Sequence, residues 1–403
     1  MNRRAFLRNT GIATVLVVGG GVFVAYHDGV FSIGQGPAYQ PWKDWRDAKD
    51  GPLSLVRAAM LAASPHNSQP WLFKVGNSEI ELYADTDRNT AGLDPYLREM
   101  HIGLGCALEN MLLAAPASGY KSTATLIPGK LELTPTDPQP VLVARVNLEP
   151  ASREESALYN AIPRRHTNRY PYDPHRPVPQ DLIDALKGLP ADDPEVKIFT
   201  FTSEADRTKI AHAIAAANDP LYADPDVERG SNRFIRAKWS EVQQYRDGLT
   251  IDALGLPPTA AAIAKMIPLW LLSRLASRGG DVYLELLLTA PMFGMIAVRD
   301  RYAREQCLSA GRVWQRAHLL ATTRGVAARP CNEVVETVDH ERKLGRPAHA
   351  AEVLEGMQGE GNHEWQPTFM FYMGYASHEA HASPRRPVEE LLLVPAEGLA
   401  PRI

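Results

Sequence analysis

The chain is poor in cysteine and has no surplus of either charge. Three cysteines in 403 residues, Cys106, Cys307 and Cys331, are an odd number and too few for a disulfide framework. Basic and acidic residues number 43 and 47, for a net charge of −4. That balance argues against sequence-independent nucleic-acid binding, which depends on cationic surplus. His378-Glu-Ala-His381 spaces its histidines by three, not by the four of a zinc-binding His-Glu-x-x-His helix. Gly103-Leu-Gly105 lacks the third glycine and the preceding strand of a dinucleotide fingerprint. No Ser/His/Asp arrangement can be placed. The apolar run Gly11 to Tyr26 has sixteen residues, roughly 24 Å as a helix against a bilayer core of about 30 Å. It follows Arg3-Arg4-Ala-Phe6-Leu7-Arg8, the pattern of a twin-arginine export signal. No clear Ala-x-Ala site or lipobox cysteine follows, so a cleaved signal and an uncleaved membrane anchor both stay open. Residues 1–26 are expected to be that signal or anchor and 27–50 a tether, with the protein in the periplasm or on the outer face of the cytoplasmic membrane.

What is present begins with Ser64-Pro65-His66-Asn67-Ser68-Gln69-Pro70-Trp71. The octapeptide follows an apolar helical run, Leu53 to Ala63, that Pro65 must stop because proline cannot continue the hydrogen-bond ladder. A strand-like Trp-Leu-Phe-Lys-Val comes next. The elbow between them is rich in small and amide side chains. Such groups offer donors and acceptors to a flat polar heterocycle without filling its space; an ordinary helix-to-strand turn would also use Ser, Pro and Asn.

A second cluster is Arg164-Arg165-His166-Thr167-Asn168-Arg169. Guanidinium forks bind a phosphate bidentately and a threonine hydroxyl adds a donor. Pro163 to Tyr172 contains no acid to neutralise these arginines. A third basic group, Arg385-Arg386-Pro387, lies near the C-terminus. Local basic clusters in a chain without basic excess favour one anionic ligand over a nucleic-acid footprint.

These three motifs together resemble the FMN-dependent nitroreductase superfamily, and more narrowly the Acg-type nitroreductase-like proteins. The resemblance spans roughly Pro52 to Leu393 and is weakest from about Asp219 to Asp300. Ordinary members carry the arginine motif first and the Asn-x-Gln-Pro-Trp motif some thirty residues later. Here the order is inverted, and Asn67 and Arg165 lie about a hundred residues apart.

An internal repeat accounts for the inversion. Gly103–Tyr120 and Ser309–Val326 match at an offset of 206: Gly105 with Gly311, Glu109 with Gln315, Leu113 with Leu319, Ala115 with Ala321, Gly119 with Gly325. Both segments have helical apolar spacing and end at a glycine suited to a left-handed cap, and a repeat of this length points to duplication. The resemblance implies intertwined homodimers with FMN at the subunit boundary. A fused dimer would then keep the elbow in half one (51–150) and the arginines in half two (151–403), leaving one composite site and one dead one. The expected architecture is α+β, a nitroreductase-like fold of two tandem halves forming a pseudo-dimer within a monomer.

Strands are expected at Trp71–Val75, Glu79–Ala84, Val141–Leu148, Lys197–Thr202 and Thr368–Tyr375. Helices are expected at Leu53–Ala63, Tyr96–Ser118, Gln180–Lys187, Glu204–Ala217 and Cys307–Arg324, the second opened by Asp94 as N-cap and Pro95 at the first helical position. The stretch 219–300, rich in Trp, Met, Leu and Pro, reads as extra helical packing or, by the resemblance, as a lid carrying Trp270, Met292 or Phe293 over the flavin.

By the resemblance, the cofactor is FMN. Arg164, Arg165, Arg169, Arg385 and Arg386 would hold its phosphate with Thr167. Ser64, Asn67 and Gln69 would contact the ribityl chain or pyrimidine edge, Pro65 and His66 would shape the backbone, and Pro330 would bring backbone near the ring. No side chain stands out as a catalytic acid, and no metal site is expected. The implied activity is electron transfer through FMN from a small-molecule donor to a nitroaromatic, quinone or similar acceptor. The alternative is a non-catalytic protein that stores or sequesters flavin.

Overall fold

The computed structural model describes residues 29–47, 51–267 and 280–393. In the first half, β1 (Trp71–Val75) turns at Gly76-Asn77 into β2 (Glu79–Asp85), closed by a bond from the Gly76 amide to the Glu79 carbonyl (2.8 Å). Helix α1 (Leu53–Ala59) precedes them, and α2 (Arg98–Ala117) leads to β3 (Tyr120–Leu126) and β4 (Pro140–Pro150). All pairings are antiparallel, in the order β1-β2-β4-β3.

The second half repeats this plan. Helix α3 (Gln180–Gly188) leads to β5 (Val196–Phe201), followed by α4 (Glu204–Tyr222) and a short parallel pair, β6 (Ile235–Arg236) and β7 (Leu249–Thr250). After α5 (Gly280–Leu288) comes β8 (Met292–Val298), then α6 (Arg304–Thr323) and β9 (Ala327–Pro330). Helices α7 (Glu333–Lys343) and α8 (His349–Gln358) precede β10 (Gln366–Gly374). The sheet order is β5-β8-β10-β9, again antiparallel throughout. Position for position this is the first sheet, with α6 in the place of α2.

Helices α2 and α6 cross at the centre. A Cβ on Gly105 would lie 2.1 Å from the Leu308 carbonyl oxygen, and one on Gly311 would lie 2.0 Å from that of Ile102. The two contacts are the same contact twice, since Ile102 and Leu308 are also 206 apart. Such reciprocity is the mark of a two-fold axis, here between halves of one chain. Gln315 donates to Asn110 (2.8 Å), Asn110 to the Ala58 carbonyl (2.9 Å), and buried Glu109 takes both Arg312 and Arg316. One apolar core runs through both sheets and both central helices. The helices end at Gly119 (φ 85°) and Gly325 (φ 66°), the left-handed caps expected from the repeat. The α+β pseudo-dimer expected from the repeat is therefore the observed architecture.

Several expectations need correction. Helix α2 starts at Arg98, not at Tyr96, yet Asp94 still serves its end: its two carboxylate oxygens accept from the Glu99 (3.1 Å) and Met100 (2.8 Å) amides. Met292 and Phe293 are not lid residues; they belong to β8, the fully buried partner of β5 and β10. A run apolar on both faces is what a central strand requires. Trp270 and residues 1–26, expected as export signal or anchor, lie outside the described residues. Residues 29–47, expected as tether, pack onto the body. Trp42 donates to the Ser383 carbonyl (2.7 Å), Ala38 accepts from the Arg385 amide (2.7 Å), and Ala38, Tyr39 and Trp45 are buried.

Candidate functional site

Helix α1 stops short of its expected end, and the reason creates the site. A helical residue 61 would offer its carbonyl to the amide of residue 65, but Pro65 has no N–H. The Leu61 carbonyl instead accepts from Arg165 Nη2 and Arg385 Nη2, each at 3.3 Å. Beyond it the elbow is strained, with His66, Asn67 and Gln69 at φ 46°, 52° and 51°. Non-glycine residues hold this conformation at a cost of order 1–3 kcal/mol each where surroundings enforce it. Asn67 shows how. Its amide nitrogen donates to the Gly248 (3.1 Å) and Pro384 (2.9 Å) carbonyls, its side-chain oxygen accepts from Arg385 Nη1, and its own carbonyl accepts from the Gly248 amide (3.1 Å).

The elbow opens on a cavity of about 340 Å³, within the range of small-molecule sites. Ser64, Pro65, His66, Asn67, Arg165, Thr167, Arg169, Pro330 and Arg385 all line it. Half one and half two thus contribute to a single chamber. The segment joining α3 to β5, which by topology is the counterpart of the elbow, contributes nothing to it.

Three expected residues stand elsewhere. Arg164 is exposed and outside the cavity. Arg386 points away, donating to the Glu390 carbonyl (2.8 Å) and, by its amide, to Gln69 Oε1 (2.9 Å). The Gln69 amide nitrogen is spent on the Arg246 carbonyl (2.9 Å). Gln69 and Arg386 therefore brace the elbow from behind. A run of adjacent arginines alternates between faces, so only part of it can reach one ligand.

The cationic end of the cavity is short of counter-charge. Arg165 and Arg385 are 2% exposed, and among the described residues neither has an ion-pair partner and the Nε of each has no hydrogen-bond partner. Arg165 otherwise meets only His318 Nδ1 (3.4 Å), and Trp42 lies over Arg385 at 4.8 Å. Burial pushes Arg165 down to about 10 and, with Arg165 beside it, drives Arg385 well below the ordinary arginine range. Buried guanidiniums without an acid are costly unless an anion completes them. The donor set, with Thr167 and half-buried Arg169 alongside, fits a phosphate. His66 is no charged donor: burial and Arg169 bring it down to about 4, and its Nε2 pairs with Ser231 Oγ (3.0 Å).

The acidic lining was not included in the sequence reading. Glu99, Glu333 and Glu336 line the cavity with Asn332 and Tyr222. The legible signal was Glu333 and Glu336 three apart, one helix face, just after Pro330. Tyr222 at the end of α4, and Ser231, Ile235, Leu249 and Leu254 after it, also line the chamber, and none of them was among the expected residues. Cys331 is buried and does not line the cavity, and burial raises it well above the ordinary thiol range. Among the described residues no cluster of three or more His, Cys, Asp or Glu could hold a metal, and no helix is long and apolar enough to cross a membrane.

No family model matches the chain. The Mycobacterium tuberculosis (strain ATCC 25618 / H37Rv) protein named "Putative NAD(P)H nitroreductase acg" is 30% identical over 135 residues, 33% of this chain and 38% of the relative. A second protein of the same organism, named "Putative NAD(P)H nitroreductase Rv3131", is 30% identical over 122 residues, 30% of this chain and 33% of the relative. The chain thus matches about a third of the length of these curated relatives. Among solved structures, an FMN and NADPH-dependent nitroreductase, NfnB from sphigopyxis sp. strain HMH, overlaps 60% of this chain and 99% of its own at 16% identity and a TM-score of 0.36. The FMN-dependent nitroreductase NfnB from Mycobacterium smegmatis, in complex with NADPH, overlaps 58% and 96% at 17% and 0.34. Over about a third of its length, then, this chain is similar to mycobacterial nitroreductase-like proteins of the Acg type.

Proposed function

We propose that the protein binds FMN in the composite chamber and acts as an oxidoreductase of the nitroreductase type. The observation that carries this reading is the pair of buried guanidiniums, one from each end of half two, meeting at a half-one carbonyl with no acid between them. Arg165, Arg385, Arg169 and Thr167 would hold the phosphate. Ser64, Asn67 and the strained backbone at Pro65 and His66 would receive the ribityl chain and the polar ring edge, with Pro330 on the far side. FMN, when bound, supplies two-electron transfer at the flavin ring. The protein's part is to orient the cofactor, exclude water and present the acceptor, here a nitroaromatic or quinone.

The further lining residues after α4 favour a second reading, storage or sequestration of flavin without turnover. NAD(P)H is the donor in the names of the relatives. If the twin-arginine segment exports the protein, a quinol or redox partner would replace it, because pyridine nucleotide is not expected outside the cytoplasm.

The test is the visible spectrum of the purified protein with added FMN, followed by NADPH or a quinol and then an acceptor. One flavin per chain that is reduced and reoxidised with turnover supports the enzyme. One flavin that exchanges electrons with none of these supports storage, and absence of uptake rejects both.

A further inference from the structure

The chamber is lined by groups of both charges. Besides the guanidiniums, Glu99 in the first turn of α2 and Glu333 and Glu336 in the first turn of α7 face the same space. Glu99 is 6% exposed, and its Oε1 accepts no hydrogen bond although Arg98 Nη2 stands 3.5 Å away. Arg98 gives its Nε to Asp339 (2.7 Å) and its Nη1 to the Thr368 carbonyl, which leaves Nη2 facing Glu99 as an ion pair without a hydrogen bond. Glu333 gives one oxygen to the Tyr283 hydroxyl (2.6 Å), while its other oxygen is buried without a partner. Unsatisfied carboxyl oxygens at a cavity wall await a ligand or a proton.

We propose that this wall is the proton donor of the site: Glu99, backed by Glu336, protonates an acceptor that takes hydride from the bound flavin. The proposal rests on the FMN reading above.

The groups facing Glu99 set its state. Burial pushes it up to about 7, against the pull of Arg98 and with help from Asp94 and Asp339; Asn332 favours the carboxylate. Burial, then Glu99 and Glu333, hold Glu336 well above the usual carboxyl range, with Arg98 opposing and Asp94 assisting. Tyr222, raised by burial and by the same three glutamates, remains a phenol. Burial raises Glu333 as well, opposed by its bond from Tyr283 and by Arg329. Carboxyls so placed keep a proton near neutral pH, where an exposed acid has lost it. A general acid works best with its pKa near the working pH.

The step balances. With reduced FMN bound, the flavin would supply the two electrons as a hydride to a quinone. The O–H bond of Glu99 breaks, an O–H bond forms on the quinone oxygen, and hydroquinone leaves. Glu99, now a carboxylate, regains its proton from Glu336 and finally from solvent.

The test compares wild type with Glu99→Gln and Glu336→Gln. In protein without flavin, infrared titration should show a protonated-carboxyl band near neutral pH that weakens in each variant. FMN uptake should be unchanged, because the phosphate end is intact. Reduced by dithionite and mixed with 1,4-benzoquinone, wild type should reoxidise more slowly as pH rises through about 7. Glu99→Gln should be slower by tenfold or more, the lower range of general acid catalysis, and nearly flat with pH. Flavin uptake with wild-type rates and pH profiles in both variants overturns this proposal alone. No flavin uptake by wild type overturns the FMN reading and this proposal together.

Discussion

Arg165 and Arg385, 220 residues apart in sequence, both donate to the carbonyl of Leu61. The carbonyl is free because Pro65 cannot use it. A single covalent feature of one residue thus opens a backbone acceptor for two arginines from another part of the chain.

Removing either guanidinium should have opposite effects on ligand and fold. Arg385→Ala and Arg165→Ala should weaken FMN binding by about 1.5–3 kcal/mol, the scale of a charged hydrogen bond, which is roughly tenfold or more in Kd. The same changes remove a buried charge that lacks a carboxylate, so the flavin-free protein should melt no earlier, or later. Arg164→Ala should change neither. Fluorescence titration and thermal unfolding of the four proteins check this.

Asn67→Asp places a carboxylate against Arg385, in the position an anionic ligand would neutralise. FMN affinity should fall, and flavin-free stability should not rise, because the carboxylate cannot replace the two bonds that the Asn67 amide nitrogen donates to the Gly248 and Pro384 carbonyls. Equal affinity to wild type would show that the phosphate binds elsewhere.

Gly105→Ala and Gly311→Ala should each destabilise the fold, because the new methyl meets backbone rather than a movable side chain. Overpacking typically costs about 1–3 kcal/mol, and fixed helix backbones place these sites at the upper end. The reciprocal geometry predicts similar losses for the two, measured by urea unfolding. A loss at one site only would argue against the two-fold relation.

The pH dependence of stability has a definite sign. The folded pKa of Glu99, about 7, lies above the ordinary carboxyl value of about 4.3. Its contribution is present below the unfolded value and lost as pH rises toward 7. His66, depressed to about 4, acts oppositely and costs stability as pH falls from about 6.5. Glu99→Gln should therefore flatten the decline in unfolding free energy between about pH 4.5 and 7 and leave the acid limb in place, as denaturant melts across that range would show.

Much of this was legible in local chemistry. The elbow could be read from proline and amides, and the repeat from helical spacing with a terminal glycine. The missed elements have physical causes. β8 was obscured because a strand buried on both faces has no alternation to detect. Residues 29–47 read as tether because their Trp and Pro content resembles a linker, and only the Ser383–Arg385 segment turns Trp42 and Ala38 into contacts. Of the arginines, side-chain type identified the class of ligand, but backbone direction decided that Arg165 and Arg385 face the chamber while Arg164 and Arg386 do not.

The sequence alone determined the duplicated plan, the helix stop at Pro65 and the acid-free arginine clusters, because each depends on residues close together in the chain. The tertiary structure decided the rest. The crossing of α2 over α6 brings half one against half two, so Leu61 meets Arg165 and Arg385, and Glu99 meets Glu333 and Glu336. Such meetings depend on how two helices pack, and burial then sets the charge on each group; neither is written in the spacing of residues along the chain.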